Sequence, residues 1–399
     1  MYYKQVLFGL TVLQPLLAAG AATPVRNPSP VRARSSPVSS PQPSPFTDFN
    51  DYIFFYPAAN AVQWHTLYAR SLQLADDSLL MTWENYPAEP PLVNHPIFRS
   101  TDGGASWTNY SAVKDTQNGW GMRFQPFLYT MTQSLGGYPA GTILAAGVSA
   151  PFNLSQEYID LYASTDNAKT WNFVSHVAYG AGPEDITDGH KAIWEPFILT
   201  YNNQLVIYFS DQRDSAYGQK LVHVTSSDLK TWSTAVNDVT YPTYTDRPGM
   251  AVVAHIESTN QWIMTYEYCG TGKCQAHYKV ASSPLTFGSA TGIGIVSNDS
   301  SATIPVGSPY IIWTQNPNKT DGSGILIASG GSQEPVFVND DSAGATGWKM
   351  VDVGQWSAYS RSLRIIDVLG KKKLLFGNGG NMGNPDYNSV ACGVTEIPF

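Results

Sequence analysis

Charged residues are scarce in this sequence. Lys, Arg, Asp and Glu make up 14% of the 399 residues, against 43% apolar and 13% aromatic residues. The net charge is −8, and four of the positive charges precede Asp48 in a stretch without acidic residues, so the remainder carries −12. An acidic domain of this kind argues against nucleic acid and anionic membranes as partners, and we expect neither.

Cysteine is also rare, with Cys269, Cys274 and Cys392 only. The segment between Cys269 and Cys274 is glycine-rich enough to close a small loop, which predicts a disulfide in an oxidising compartment. Cys392 is then expected to be a buried free thiol. The seven histidines are scattered without the spacing of metal ligands, so no metal site and no cofactor are predicted.

Long apolar runs are missing after residue 22, which excludes a convincing membrane span. Residues 1–22 place Lys4 before an apolar run with small residues after it, the pattern of a secretory signal peptide, so we expect a secreted, extracellular protein. Residues 23–45 are rich in Pro and Ser and are predicted to be disordered. Residues 46–399 are predicted to form a single domain. Sequons at Asn109, Asn153, Asn298 and Asn318 fit a glycoprotein.

Helical periodicity is hard to find after Asp51, where glycine and proline instead punctuate short alternating apolar runs. This pattern predicts an all-β protein. A two-strand unit recurs six times, with starts 52 to 70 residues apart, near His65, Met122, Ala192, Asp246, Gly307 and Tyr359. Such a period suits four-stranded blades, and six copies suit one closed six-bladed β-propeller.

Three segments carry an Asp-box pattern, S-x-D-x-G-x-x-W. Residues 100–107 match it fully, residues 164–171 lack the glycine, and residues 226–232 are a shortened version. The aspartate is expected to accept hydrogen bonds from turn amides while the tryptophan packs under neighbouring strands, on the face away from the substrate. With these boxes the chain resembles sialidase-type six-bladed propellers over roughly residues 51–399. Residues 51–56 are expected to close the ring against residues 390–397.

In a propeller of this type, the first strand of each blade starts at the central funnel and the second strand returns to it. Starts of first strands and ends of second strands therefore converge on one face. This rule selects Tyr68, Arg70, Arg123, Glu195, Arg247, Tyr359 and Arg361 at strand starts, and Glu84, Asp211 and Glu267 at strand ends.

Hydrolysis of a glycosidic bond requires two carboxyl groups, and the funnel candidates include four. Glu195 stands between Trp194 and Pro196, where apolar walls would raise its pKa and suit it to act as an acid. Glu267 ends a strand just before the predicted disulfide loop, which would hold it stiffly. We therefore expect these two glutamates to be catalytic.

Four segments together resemble the fungal exo-arabinanases of glycoside hydrolase family 93: residues 83–86 (Trp-Glu-Asn-Tyr), 194–196 (Trp-Glu-Pro), 246–250 (Asp-Arg-Pro-Gly-Met) and 264–267 (Met-Thr-Tyr-Glu). The resemblance implies a retaining enzyme that releases arabinobiose from the non-reducing end of α-1,5-L-arabinan. It also implies that Glu195 and Glu267 are the catalytic pair, with Glu195 as the acid/base and Glu267 as the nucleophile.

Tyr359 resembles the tyrosine that sialidase-type propellers place under the reacting sugar, where it would orient the nucleophile. The substrate-binding residues are predicted to be Arg70, Glu84, Tyr86, Arg123, Trp194, Asp211, Arg247, Tyr268 and Arg361, with Tyr266 as a further aromatic candidate. The expected partner is plant cell-wall arabinan or its oligosaccharides, bound by a monomer. The sequence is also compatible with a calcium ion held by backbone oxygens on the propeller axis.

Two alternatives share the fold. A sialidase would require three arginines around a carboxylate and a tyrosine nucleophile, for which Arg70, Arg247 and Arg361 are available. Against it, Ser-Leu follows Arg70 where sialidases commonly carry Ile-Pro. A lectin would bind sugar without cutting it, but lectin propellers usually repeat one site per blade, whereas these six units differ at their funnel residues.

Overall fold

The computed structural model describes residues 41–399 apart from positions 271, 342, 345, 346 and 384. The predicted signal peptide lies outside the described residues, as does the predicted Pro/Ser-rich segment except for residues 41–45. The predicted domain boundary at residue 46 stays a prediction. Across the described part of the chain, no helix has the length and apolar character needed to cross a membrane.

The described residues form six antiparallel sheets of four strands each. Blade 1 contains β2 (Thr66–Gln73), β3 (Leu79–Asn85), β4 (His95–Ser100) and β5 (Thr108–Val113). Blade 2 contains β6 (Met122–Thr130), β7 (Ile143–Ser149), β8 (Glu157–Ser164) and β9 (Asn172–Gly180). Blade 3 contains β10 (Ile193–Tyr201), β11 (Gln204–Asp211), β12 (Lys220–Ser226) and β13 (Val236–Val239).

Blade 4 contains β14 (Pro248–Ile256), β15 (Gln261–Tyr268), β16 (Gln275–Ala281) and β17 (Ile293–Gly294). Blade 5 contains β18 (Tyr310–Gln315), β19 (Gly324–Ser329), β20 (Val336–Asp340) and β21 (Lys349–Val351). Blade 6 contains β22 (Ser362–Val368), β23 (Lys371–Asn378), β24 (Val390–Thr395) and, from the other end of the domain, β1 (Phe49–Phe55). Short 3₁₀ turns occupy Phe287–Ser289 and Pro385–Tyr387. The all-β, six-bladed prediction is confirmed.

The second strands are buried along nearly their whole length because each is covered by a blade on either side. All residues of β7 are buried, as are all residues of β11 except Gln204. A strand covered on both faces cannot alternate polar and apolar residues, which explains why these segments read as short continuous apolar runs.

The ring closes between β1 and β24. These strands are antiparallel, with Phe49 opposite Val394 and Phe55 opposite Val390, so the predicted closure is confirmed. Gln355 supports it from outside the sheet: its Oε1 accepts from the Asp51 N–H at 3.0 Å, and its Nε2 donates to the Asn50 side chain at 3.0 Å. Pairing of the first and last strands removes two unsatisfied sheet edges.

The three Ser-x-Asp segments form the turns between third and fourth strands, on the face opposite the starts of the first strands. In the first turn, the Asp102 carboxylate accepts from the Ser106 N–H at 2.9 Å. The tryptophans of the other two turns reach into the preceding blade, where Trp171 Nε1 donates to Ser111 at 3.2 Å and Trp232 Nε1 to Ser175 at 3.1 Å. These turns therefore tie neighbouring blades together at their outer strands.

The disulfide between Cys269 and Cys274 is present, and Cys392 is a buried free thiol, as predicted. Burial raises the pKa of the Cys392 thiol, which keeps it protonated. Its sulfur lies 3.2 Å from Trp107 Nε1, so this thiol packs at the seam between blades 1 and 6.

Replacement of Trp107 by alanine is expected to destabilise the ring closure. The indole stacks on Phe54 of β1 with 4.9 Å between ring centroids and donates from Nε1 to the Gly104 carbonyl at 2.9 Å. Its loss should lower the free energy of unfolding by about 3 kcal/mol, measured by denaturant titration. The control is Phe152→Ala, whose ring is 75% exposed and whose loss should change stability by less than about 0.5 kcal/mol. Equal effects of both changes would contradict this account.

Candidate active site

A pocket of about 460 Å³ opens at the end of the propeller axis where the first strands begin. Its lining residues come from blades 1, 2, 3 and 6 and from loops above them: Gln63, Trp64, Leu67, Glu84, Tyr86, Phe124, Gln125, Leu154, Glu184, Asp185, Ile186, Trp194, Glu195, Tyr359 and Met382. Five predicted site residues therefore line one cavity: Glu84, Tyr86, Trp194, Glu195 and Tyr359.

Each blade places one non-glycine residue with a positive φ at the funnel end of its first strand. These residues are Tyr68 (φ 58°), Gln125 (46°), Glu195 (67°), Met250 (61°), Ser308 (36°) and Ser360 (56°). In blades 1 to 4 the pairing of first and second strands shifts register around this residue. We call these six positions the bulge residues. Left-handed backbone is uncommon in L-residues and concentrates at functional sites.

The bulge amides join one blade to the next. Five of them donate to a side chain of the preceding blade: Gln125 N–H to Glu84 Oε1 (2.8 Å), Glu195 N–H to Gln125 Oε1 (3.4 Å), Met250 N–H to Glu195 Oε2 (2.9 Å), Ser308 N–H to Glu267 Oε2 (2.8 Å) and Ser360 N–H to Ser308 Oγ (2.9 Å). Both predicted catalytic glutamates are therefore held by backbone amides of the following blade.

Glu195 is buried and has two donors on one oxygen. Its Oε2 accepts from the Ser210 hydroxyl at 2.6 Å and from the Met250 amide at 2.9 Å. Burial first, and the charge of Glu267 second, raise the pKa of Glu195 to about 8. Glu195 is thus protonated at neutral pH, as a general acid must be.

Glu267 ends the second strand of blade 4, and its Oε2 accepts from the Ser308 amide at 2.8 Å. Burial raises its pKa, while this amide and the positive charge of Arg247 act in the opposite direction. The sulfur of Cys269 lies 3.8 Å from Glu267 Oε1. Because this sulfur belongs to the disulfide and carries no proton, it packs against the carboxylate without donating to it.

Gly249 lies between the two acids. A Cβ atom at this position would be 3.5 Å from Glu195 Oε2 and 3.6 Å from Glu267 Oε1, so these oxygens are at most about 7 Å apart. Carboxyl groups about 5 to 5.5 Å apart are typical of retaining glycosidases. The predicted pair therefore lies close together beside Gly249, with Glu195 lining the pocket and Glu267 adjacent to it.

Glu84 and Tyr359 surround the pair with further proton-bearing groups. Glu84 accepts from the Tyr86 hydroxyl at 2.6 Å, and burial raises its pKa to about 7. Burial, together with the charges of Glu195 and Glu267, raises the pKa of Tyr359 well above its usual range. Tyr359 is therefore a neutral phenol beside both acids, able to donate a hydrogen bond.

Two predicted arginines lie beside the pocket. Arg247 donates to Gln219 Oε1 at 2.6 Å and to the Ile186 carbonyl, and its guanidinium carbon lies 5.9 Å from the centre of the Trp194 ring. It lowers the pKa of both Glu195 and Glu267. The Arg70 guanidinium lies 4.0 Å from the centre of the Tyr68 ring and donates to both oxygens of Ser360.

Four other predicted binding residues are not among those lining the pocket, and each has a partner of its own. Arg123 pairs with Glu89 at 2.6 Å, Asp211 pairs with Arg213 at 2.8 Å, Tyr268 donates to Asp246 at 2.8 Å, and Arg361 donates to the carbonyls of Glu334, Pro335 and Trp356. Tyr266 is fully buried and shares a hydrogen bond with Tyr241. Their assignment as substrate contacts stays a prediction.

Sequence reasoning missed Gln125 and Glu184. Glu184 lies on the loop between β9 and β10, and burial together with surrounding carboxylates raises its pKa well above its usual range. No sequence pattern marks this loop position. Gln125 did have a signal, because Phe124-Gln-Pro-Phe127 in blade 2 repeats the pattern of Trp194-Glu-Pro-Phe197 in blade 3.

Within the described residues, one group of three side chains has metal-ligand spacing, formed by Glu267, Cys269 and Cys274. Both sulfurs belong to the disulfide and are not thiolates, which are the form that binds metals. The arrangement does not fit a metal centre.

Comparison with solved structures identifies close relatives. The structure of the GH93 α-L-arabinofuranosidase of Fusarium graminearum with arabinobiose has a TM-score of 0.83 and 40% sequence identity, covering 88% of this chain and 98% of that chain. The α-L-arabinanase of Penicillium chrysogenum complexed with arabinobiose has a TM-score of 0.82 and 41% identity over the same shares of the two chains.

The sialidase NanB of Streptococcus pneumoniae is 10% identical, with a TM-score of 0.52 over 86% of this chain and 70% of that chain, and shares the fold alone. No protein-family profile and no curated protein sequence matches the chain. Identity of about 40% over nearly the full length of the fungal enzymes nevertheless decides the relationship. The chain belongs to glycoside hydrolase family 93.

Proposed function

We propose that this glycoside hydrolase is a retaining exo-α-1,5-L-arabinanase that releases arabinobiose from the non-reducing end. The observation that carries the proposal is the pair Glu195 and Glu267, held on either side of Gly249 at one end of the propeller axis. Relatives at 40–41% identity are an arabinofuranosidase and an arabinanase with arabinobiose bound. The pocket volume of 460 Å³ falls within the usual range for small-ligand sites, about 300–1,000 Å³.

In the first step, the Glu267 carboxylate attacks the anomeric carbon and forms a glycosyl ester as the glycosidic C–O bond breaks. Glu195 transfers its proton to the leaving oxygen, so the rest of the arabinan departs as a neutral alcohol. Glu195 suits the acid role because burial and the neighbouring charge raise its pKa to about 8. Glu267 suits the nucleophile role because Arg247 and the Ser308 amide favour its ionised form.

In the second step, water attacks the ester, Glu195 accepts the water's proton, and Glu267 is released as a carboxylate. Ester formation removes the negative charge of Glu267, which is the second largest cause of the raised pKa of Glu195. The pKa of Glu195 therefore falls in the intermediate, where it acts as a base. The same two groups serve both steps, and net configuration is retained.

Aromatic walls suit an uncharged furanose, whose faces are apolar. Trp64, Tyr86 and Trp194 line the pocket, where a sugar can pack on rings while its hydroxyls meet polar groups. The sialidase alternative requires three arginines that bind the carboxylate of the substrate. The Arg361 guanidinium is fully buried and donates to three carbonyls, so it is not available for that contact.

The lectin alternative requires a binding site that repeats in each blade, whereas the residues of this pocket differ from blade to blade.

We also propose that the enzyme is secreted and acts as a monomer on cell-wall arabinan. The apolar segment of residues 1–22 and a disulfide beside the active site support export to an oxidising compartment. Amino-terminal sequencing of protein recovered from culture medium should place the first residue after position 22. Retention of residues 1–22 in the exported protein would contradict the signal-peptide assignment.

Replacement of Glu195 or Glu267 by glutamine should lower kcat on linear arabinan by roughly 10²–10⁴-fold or more, because each change removes a group that transfers a proton or bonds to the sugar. Product release is measured by chromatography. The matched control is Glu257→Gln, an exposed acid that follows the end of β14 away from the pocket, which should leave kcat unchanged. Full activity of either the Glu195 or the Glu267 variant would overturn the proposal.

Azide separates the two roles within this test. With Glu195→Ala and an activated nitrophenyl glycoside, azide should restore turnover and yield a glycosyl azide of retained configuration. With Glu267→Ala, azide replaces the nucleophile and should yield the inverted product. The opposite pattern, read by NMR, would exchange the roles of the two glutamates while leaving the pair intact.

The pH dependence of kcat/KM should be bell-shaped. Activity falls on the alkaline side near pH 8 as Glu195 loses its proton. It falls on the acid side, at a pH above 4.5, as Glu267 gains one. Both limbs report the coupled pair. Arg247→Met removes a charge that lowers both pKa values, so both limbs should move to higher pH, whereas Arg99→Met, remote at the surface, should move neither. An unmoved Arg247→Met profile would contradict these electrostatics.

A further inference from the structure

Gln125 occupies in blade 2 the place that Glu195 occupies in blade 3. Both are bulge residues with positive φ, both precede a proline, and both line the pocket. The flanking residues correspond as well, since an aromatic residue precedes each and a phenylalanine follows each proline. The fold thus presents two equivalent side chains to the same cavity, one acidic and one an amide.

The contacts of Gln125 fix the orientation of its amide. Its backbone N–H donates to Glu84 Oε1 at 2.8 Å, and its side chain faces the backbone N–H of Glu195 at 3.4 Å. Only an oxygen can accept from that N–H, so Oε1 points to Glu195 and the NH₂ group points away from it. Among the described residues, none accepts a hydrogen bond from Nε2.

Gln125 Nε2 is a hydrogen-bond donor at the wall of the pocket without a protein partner in the described part of the chain, so an oxygen atom of the substrate can accept from it. Glu84 and Glu195 flank Gln125 along the chain of amide contacts, so the substrate atom it meets lies beside the acid/base. Hydrogen bonds to the 2-hydroxyl group of the reacting sugar strengthen as the oxocarbenium-like transition state forms. An amide donor supplies such a bond without adding another charge to a site already rich in carboxylates.

We propose that Gln125 is a substrate-binding and specificity-determining residue. Its Nε2 donates to the 2-hydroxyl oxygen of the arabinosyl unit whose bond is cut, while Oε1 holds the backbone of Glu195. This inference rests on the proposed function. In this assignment, one end of the Gln125 amide positions Glu195, and the other end recognises the sugar on which Glu195 acts.

A chemical double-mutant cycle tests the proposal. Gln125→Met removes the donor and keeps the length of the side chain, and Met250 shows that the equivalent bulge accepts methionine at φ 61°. The substrates are nitrophenyl α-L-arabinobiosides whose reacting unit carries all hydroxyls, lacks the 2-hydroxyl, or lacks the 3-hydroxyl. The measured quantity is the ratio of kcat/KM between wild type and variant for each substrate, in which intrinsic reactivity cancels.

Gln125→Met should lower kcat/KM by roughly 30-fold on the parent and on the 3-deoxy substrate, but by less than about threefold on the 2-deoxy substrate. A general disturbance of Glu195 would lower all three equally, so the difference isolates the contact. The matched control is Gln315→Met, an exposed residue at the far end of β18, expected to change none of the ratios. An unchanged melting temperature confirms folding.

Equal losses on the parent and 2-deoxy substrates would overturn the proposed contact while leaving the enzyme an arabinanase. Selective loss on the parent and 2-deoxy substrates, with the 3-deoxy substrate spared, would overturn it too and move the bond to the 3-hydroxyl. Failure of the wild type to cleave the parent arabinobioside would instead overturn the proposed function, and this inference with it.

Discussion

The architecture of the site depends on a ring of left-handed backbone turns. Six residues that are not glycine adopt positive φ at the funnel end of the first strands, one in each blade. Each such residue costs of order 1–3 kcal/mol and persists only where its surroundings hold it. Here the paired strands on one side and the hydrogen bonds to the preceding blade on the other provide that support. Cohesion between blades and placement of carboxylates are thus achieved by the same contacts.

Much of the fold was accessible from the sequence because it depends on spacing. The recurrence of two-strand units predicted six blades, and the end rule for first and second strands brought Glu195 and Glu267 close together beside Gly249. The same rule selected Arg361, which turns its guanidinium to backbone carbonyls. A strand position predicts which end of the sheet a residue occupies but not the rotamer it adopts, so this distinction needs coordinates. Gln125 was missed because its amide is neither an acid, an arginine nor an aromatic ring, the residue types that the expected chemistry requires.

The pocket concentrates acids in a place with little compensating positive charge. Glu84, Glu184 and Glu195 line the same cavity, and Glu267 lies next to it. Burial raises the pKa of each, and repulsion from neighbouring carboxylates adds to this effect at Glu184 and Glu195. Several carboxyl groups are therefore neutral at a pH where exposed acids are charged. Glu195 gives its proton to the leaving oxygen, and the loss of the negative charge on Glu267 in the ester then favours the ionised form of Glu195.

The pairing of β1 with β24 also sets the point in synthesis at which the propeller ring can close. Phe55 and Val390 are partners across 335 positions of the chain, yet loop entropy rises by only about 0.6 kcal/mol for each doubling of such a span. Because synthesis starts at the amino terminus, β1 is made first, and its partner strand β24 follows only after the first five blades have been synthesised. Only when β24 emerges can blade 6 settle and Tyr359 take its place beside Glu195. The ring of blades therefore cannot close before its last strand has been synthesised.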